Sequence, residues 1–454
     1  MLTRKVYEKI CEYKGKKKAL LLTGARQIGK SSIAREFGKK KYKQLIEINF
    51  LKDKAAYEAL KDVSDTDELL RVLSTFAKEP LKKGNTLFLF DEVQEIPDLL
   101  THIKFLVEDG RYDYILTGSL LGVKLKDIRS IPVGFMDTIE MYPLDFEEFC
   151  MANGIQQDVF KYLKEQYEKE EPINDFIHKK LMMLFRLYLI VGGMPEAVQT
   201  YVNTNDLNAV AQVQKNIIET YKYDIAKYDA NNKLHLDEIL ESIPSELNSK
   251  NKRFILKKLN ENARFSKYEN SFEWLKHAGV ALPTYVAEEP KVPLTLSKKV
   301  NLFKLFMNDV GLLASLYETG DLQLKLLKNE LSINNGAIFE NAVAQELKAH
   351  GFNLYYYASK KLGEIDFLIE HSDKILPIEV KSGARYQEHT ALNNVMNAYK
   401  LKKGLVFADC NISKSRCVTY YPVYMLMFLR PKELPKNLIY KVDLSDLNKF
   451  INKK

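Results

Sequence analysis

Three features of the sequence predict a multidomain α/β protein. A complete GxxxxGKS loop lies between an apolar strand and a helix near the start, a long stretch in the middle is helical throughout, and the last hundred or so residues run helix–strand–strand–strand–helix–strand. At 454 residues the chain exceeds one ordinary hydrophobic core, so several domains are expected. Its composition, 46% hydrophobic and 28% charged, is that of a soluble globular protein. A formal charge of +8 permits nucleic-acid contact without demanding it, because 60 acidic residues dilute the basic ones. The four cysteines, Cys11, Cys150, Cys410 and Cys417, show no zinc-like pairing and are too sparse for a disulfide framework. A reduced, cytoplasmic chain is therefore expected. No signal peptide is visible, and no apolar run approaches the roughly 18 residues of a membrane span, so no membrane partner is expected.

Residues 19–32 read ALLLTGARQIGKSS. The strand runs into Gly24, Ala25, Arg26, Gln27, Ile28, Gly29, Lys30 and Ser31, and Ser32 continues into the helix. In such a loop the successive backbone N–H groups and the helix N-terminus point at phosphate oxygens, and glycine lets the main chain come close. Lys30 is expected to reach the β- and γ-phosphates of ATP, and the Ser31 hydroxyl to ligate Mg²⁺. The stretch NTLFLFDEVQEIPD (85–98) is a buried strand ending in Asp91 and Glu92. Asp91 is expected in the magnesium shell, and Glu92 beside the attacking water. A further strand, RYDYILTGSLLG (111–122), ends in Thr117, Gly118 and Ser119, whose polar side chains are placed to sense the γ-phosphate. Between loop and acidic pair lie the strand QLIEINF (44–50) and a helical stretch over 65–79.

From residue 143 to 205 apolar side chains recur at three- and four-residue steps, as in packed helices. Gly192-Gly193-Met194-Pro195 interrupts the run and reads chiefly as a structural turn. Residues 206–325 open with the short helices LDEILESIPSEL, NKRFILKKLNE and SKYENSFEWLKHAG, then become extended, in the order of a winged helix-turn-helix. From Lys250 to Lys276 there are eight basic residues (Lys250, Lys252, Arg253, Lys257, Lys258, Arg264, Lys267, Lys276) against three Glu. A basic second helix is expected to lie along a DNA groove. The competing reading is a solvated face on a module that mediates domain contacts.

Residues 326–454 hold the third feature. Glu340 sits on the helix of NNGAIFENAVAQELKAHG, Asp366 in the strand EIDFLIEH, and Glu379 and Lys381 in ILPIEVKSG. Glu379 and Lys381 alternate by two and so share a face. The order resembles the core of PD-(D/E)xK nucleases, in which grouped carboxylates take Mg²⁺ or Mn²⁺ and the lysine orients or activates a metal-bound water.

The front of the chain resembles an AAA-type ATPase of the archaeal ATPase-like branch. The whole is similar to bacterial ATPases that end in a domain of unknown function, family 4143. The stretches IPVGFMDTIEMYPLDFEEF (131–149), LFRLYLIVGGMPEAV (184–198), SIPSELNSKNKRFILKKL (242–259), LFMNDVGLL (305–313) and GAIFENAVAQEL (336–347) carry this resemblance. It implies a P-loop ATPase core over 1–142, a helical lid over 143–205, a winged-helix module over 206–325 and a restriction-endonuclease-like domain over 326–454. It also implies assembly with copies of itself. Phe135 stands where many relatives have a basic residue, so an arginine finger does not transfer; Arg111 and Arg129 are alternatives. Two functions follow as expectations. One is an ATP-hydrolysing enzyme acting on DNA with a nuclease-type tail; the other is a nucleotide-controlled switch or scaffold whose tail binds DNA or protein without cutting.

Overall fold

Strands with apolar residues on both faces need cover on both sides, which favours a parallel sheet flanked by helices. The computed structural model shows this arrangement in β1 (Ala19–Thr23), β2 (Gln44–Asn49), β3 (Thr86–Asp91), β4 (Asp113–Thr117) and β5 (Met136–Glu140). They form a sheet in the order β2-β3-β4-β1-β5, every pair parallel. Because all strands run the same way, the segments that follow β1, β3 and β4 emerge at one edge, where ligands of open α/β sheets bind. The structure describes residues 2–61, 63, 65–118, 134–228, 233–249, 252–258, 265–317, 321–328, 330, 336–432 and 439–443. Ser119, Arg129, Lys250 and Arg264 lie outside the described residues.

Helices Phe146–Ala152, Gln157–Lys169, Asp175–Val191 and Pro195–Thr204 follow the sheet. The first opens on a capping box, with Asp145 and Glu148 satisfying each other's backbone N–H groups. Between them, Gly192 and Gly193 form a structural turn. A Cβ on Gly193 would lie 2.0 Å from the Leu144 carbonyl oxygen, and its N–H donates to Asp309 Oδ2 at 2.6 Å.

Helices Leu207–Tyr228, Lys233–Asn248 and Phe265–His277 come next. The expected basic helix NKRFILKKLNE is not among them; its described residues hold only a 3₁₀ turn, Leu256–Lys258. Tertiary contacts hold this backbone in another conformation. Phe254 N–H donates to Phe303 O at 3.0 Å, and Ile255 N–H to Glu246 Oε2 at 3.2 Å. The Phe254 ring packs against Phe272 and Phe303.

Two strands after that helix set, β6 (Ala281–Ala287) and β7 (Lys298–Met307), form an antiparallel hairpin. The tail supplies β8 (Tyr355–Ser359), β9 (Gly363–His371), β10 (Lys374–Lys381), β11 (Gly404–Ala408), β12 (Ser413–Ser415) and β13 (Val418–Pro422). All eight join one sheet, ordered β12-β13-β11-β10-β9-β8-β6-β7. The sheet therefore continues across the expected boundary at 325/326. β6 pairs in parallel with β8 through Tyr285–Tyr355 and Val286–Tyr356, covering an edge that would otherwise expose unpaired backbone groups. One apolar cluster likewise runs from Leu20 and Phe37 through Phe146, Phe185 and Tyr188 to Phe339 and Tyr424. Among the described residues no helix is long and apolar enough to cross a membrane.

Candidate nucleotide site and the carboxylate cluster of the tail

The loop after β1 owes its path to Gly24, whose φ of 123° suits glycine and whose absent Cβ would lie 2.2 Å from Met141 O. Gly29, at φ 91°, leads into the helix Lys30–Lys41 with no side-chain cap, which leaves the first helical N–H groups free for an anion. Lys30 is folded back on the loop, donating to Gly24 O at 2.9 Å and Ala25 O at 2.7 Å. Burial pushes its ammonium down to about 8, against the opposing pull of Glu92 and Asp91. Asp91, buried at the end of β3, gathers three donors. Ser31 Oγ reaches its Oδ1 at 2.6 Å, Thr117 Oγ1 reaches the same oxygen, and Asn49 Nδ2 reaches Oδ2 at 2.7 Å.

No sequence motif singles out Asn49. It stands opposite Asp91 in the β2–β3 register, which no local pattern reveals. Glu92 adopts a left-handed conformation (φ 59°), and its Oε2 accepts from Gln94 Nε2 at 2.5 Å. Ala25 and Ile28 are buried, Gln27 and Ser32 are exposed, and Arg26 pairs with Asp224 on the helix Leu207–Tyr228. Gly279 presses on the loop from the same region, close enough that a Cβ would lie 2.9 Å from Ala25 N. A cavity of about 500 Å³ opens beside this contact, lined by Gly24, Ala25, Met141, Lys276 and Lys298 among others. Arg111 pairs with Asp109 at 2.7 Å and precedes β4 at the sheet edge opposite the loop.

In the tail, Glu340 on the helix Gly336–Ala349, Asp366 on β9, and Glu379 and Lys381 on β10 come together as their spacing suggests. Lys381 Nζ lies 2.8 Å from Glu379 Oε1, and Val380 N–H donates to Asp366 Oδ2 at 2.9 Å. Burial, reinforced by Asp366, pushes Glu379 up to about 8 and raises Glu340 as well. Two lysines of the preceding region enter the same cluster. Lys304, wholly buried on β7, places Nζ 2.7 Å from Glu364 Oε1, 3.6 Å from Glu340 Oε2 and 3.8 Å from Asp366 Oδ1. Burial alone would lower its pKa, but Glu340, Asp366 and Glu364 outweigh it and the net shift is upward. Lys252 pairs with Glu340. The sequence did carry a signal for Lys304, a lone lysine inside the apolar run VNLFKLFM.

The expected three-carboxylate metal site does not fit this arrangement. Among the described residues, Glu340, Asp366 and Glu379 do not bring three ligand atoms within 4.8 Å of one another; Asp145, Glu346 and His350 do, with two carboxylate oxygens and an imidazole nitrogen. That second group is already supplied with cations, since Lys5 and Arg430 both reach Asp145 Oδ2.

Three family models match the chain: an AAA domain over residues 16–150, and two domains of unknown function, DUF8612 over 182–325 and DUF4143 over 335–426. The chain carries an AAA domain in front and a DUF4143 domain behind. The AAA domain is a P-loop ATPase fold, a parallel sheet flanked by helices with its glycine-rich loop after β1. An uncharacterized protein of Haemophilus influenzae is 24% identical over 178 residues, and the match spans 37% of this chain and 43% of that protein. Among solved structures, the Walker-type ATPase PABY2304 of Pyrococcus abyssi is similar at 16% identity and a TM-score of 0.42, over 70% of this chain and 96% of that one. The Orc1 protein of Aeropyrum pernix, solved in complex with DNA, is similar at 13% identity and a TM-score of 0.27, over 72% of this chain and 94% of its own. The RuvB Holliday junction branch migration motor of Thermotoga maritima is similar at 11% identity and 0.28, over 64% and 91%.

Within the DUF8612 region, the basic residues expected to face DNA are partly spent on internal pairs. Lys252 binds Glu340, Lys258 lies 2.8 Å from Glu246, and Lys276 lies 3.1 Å from Glu273.

Proposed function

We propose that this protein hydrolyses ATP at its AAA domain and works as a nucleotide-controlled switch. The observation that carries the proposal is the convergence of Ser31, Thr117 and Asn49 on Asp91 beside the retracted Lys30. With ATP bound, Lys30 exchanges the carbonyls of Gly24 and Ala25 for phosphate oxygens, and the loop N–H groups cradle the phosphates. Ser31 Oγ and Asp91, already 2.6 Å apart, fit the hard-oxygen preference of Mg²⁺ and would hold it there. The ion supplies charge neutralisation on the phosphates. Glu92 orients the attacking water and takes up its proton, while Thr117 fixes the Asp91 carboxylate. Gly279 against Ala25 and Asp224 on Arg26 form the route by which loop movement reaches the rest of the chain. In this reading the DUF4143 domain receives that movement.

The test is phosphate release from ATP and Mg²⁺. Lys30→Ala and Glu92→Gln should each lose on the order of 100-fold or more in turnover, with Glu92→Gln still binding ATP. Turnover that survives in both variants would sink the proposal.

A second reading, action on DNA, draws on the +8 charge and on a helix set followed by the β6–β7 hairpin. Stimulation of ATP turnover by duplex or single-stranded DNA supports it; no stimulation by either leaves the switch alone. Self-assembly with ATP bound is expected and is read by native mass. All four cysteines are free, in keeping with work in a reducing cytoplasm.

A further inference from the structure

A nuclease of the order seen in the tail would need a divalent ion among Glu340, Asp366 and Glu379, yet an ammonium group of the same chain reaches into that cluster. We propose that Lys304 is a built-in cation that closes the cluster to Mg²⁺ and Mn²⁺ and makes it an ionic joint between the DUF8612 region and the DUF4143 domain. This goes beyond the nucleotide-switch reading and does not depend on it.

Three observations converge. The first is attachment. Lys304 belongs to β7, which pairs with β6 along most of its length, and β6 is bonded to β8 of the tail. The sheet fixes the Lys304 backbone beside the carboxylates, and its side chain is wholly buried among them.

The second is charge. Glu340, Glu364, Asp366 and Glu379 meet Lys252, Lys304 and Lys381. These ammonium groups offset the carboxylates from within the chain, and a divalent ion would add two positive charges among buried side chains, where unbalanced charge is costly. Lys304 supplies one of the offsetting charges.

The third is geometry. The nuclease-type carboxylates do not offer three oxygens within 4.8 Å of one another. Glu340 Oε2 and Glu379 Oε2 make no hydrogen bond, a feature that in an unfilled site would favour an ion. The ammonium 3.6 Å away accounts for Glu340 Oε2, and Glu379 Oε2 is the oxygen on which the experiment bears.

The experiment is Mn²⁺ binding to the full chain without nucleotide, followed by the electron paramagnetic resonance of free Mn²⁺ and by the thermal midpoint. Wild type, Asp366→Asn, Lys304→Met and Lys304→Met/Asp366→Asn are compared. Methionine keeps the length of the side chain and removes its charge. Wild type and Asp366→Asn should bind Mn²⁺ alike, Lys304→Met should gain one ion per chain, and the double variant should lose it again. The proposal is overturned if wild type binds an ion that Asp366→Asn loses. It is also overturned if folded Lys304→Met gains none. Should Lys304→Met fail to fold, the wild type against Asp366→Asn comparison still decides the matter.

Discussion

Gly279→Ala puts the link between nucleotide loop and DUF8612 region under direct strain. The added Cβ would lie 2.9 Å from Ala25 N and 3.3 Å from Ala25 Cα. Both atoms are backbone, so no rotamer change relieves the contact. Reaching an ordinary van der Waals distance of about 3.4 Å requires the loop or the turn to move by roughly 0.5 Å, the tolerance within which a binding constellation has to be held. Gly279 has φ 71°, so alanine adds a left-handed cost of about 1–2 kcal/mol. Overpacking against a fixed backbone adds about 1–3 kcal/mol. Folding stability should fall by about 2–5 kcal/mol, and ATP affinity by about tenfold, or 1.4 kcal/mol, because the proposed phosphate cradle includes the displaced N–H groups. Gly154→Ala is the control. Gly154 also has positive φ, 86°, but a Cβ there meets nothing within 4 Å, so it carries only the backbone cost. The assay pairs thermal unfolding with ATP titration for both variants. Equal ATP affinity in Gly279→Ala and wild type would refute the argument, as would an equal loss in Gly154→Ala.

Two further outcomes follow from single contacts. Thr117→Val removes the hydroxyl that donates to Asp91 and should slow ATP turnover by roughly tenfold, the worth of one hydrogen bond to a charged group; unchanged turnover counts against a role for Thr117. Asp309 accepts from Gly193 N–H at 2.6 Å and Leu312 N–H at 3.0 Å, so Asp309→Ala strands both donors and should cost about 3 kcal/mol in urea unfolding. Burial raises the Asp309 carboxyl to about 6 in the folded chain. A raised folded pKa stabilises fully below the unfolded value and fades as pH climbs through the folded one. Wild-type stability should therefore drop between about pH 4 and pH 6 by up to ~3 kcal/mol from this group, a slope that Asp309→Asn lacks.

Short-range chemistry made much of this protein readable from its sequence. The GxxxxGKS loop, the apolar strand ending in Asp91, and the Glu379–Lys381 alternation each lie within one or two adjacent elements, where spacing and backbone period determine who meets whom. The grouping of Glu340, Asp366 and Glu379 was legible too, because helix and strand order bring them to one face. The basic helix over NKRFILKKLNE failed as an expectation because helix propensity is weak beside tertiary demand: Phe254 and Ile255 give their N–H groups to Phe303 and Glu246. Asn49 beside Asp91, Asp224 on Arg26, Gly279 against Ala25 and Lys304 among the carboxylates depend on strand register or on elements far apart in the chain. The sequence by itself determined where the glycine-rich loop of the AAA domain lies and which hydroxyl and acidic side chains stand near it. Tertiary structure decided what surrounds the tail's carboxylates, because a sheet that recruits β6 and β7 carries their side chains, Lys304 included, into a pocket that the tail's own sequence leaves negative.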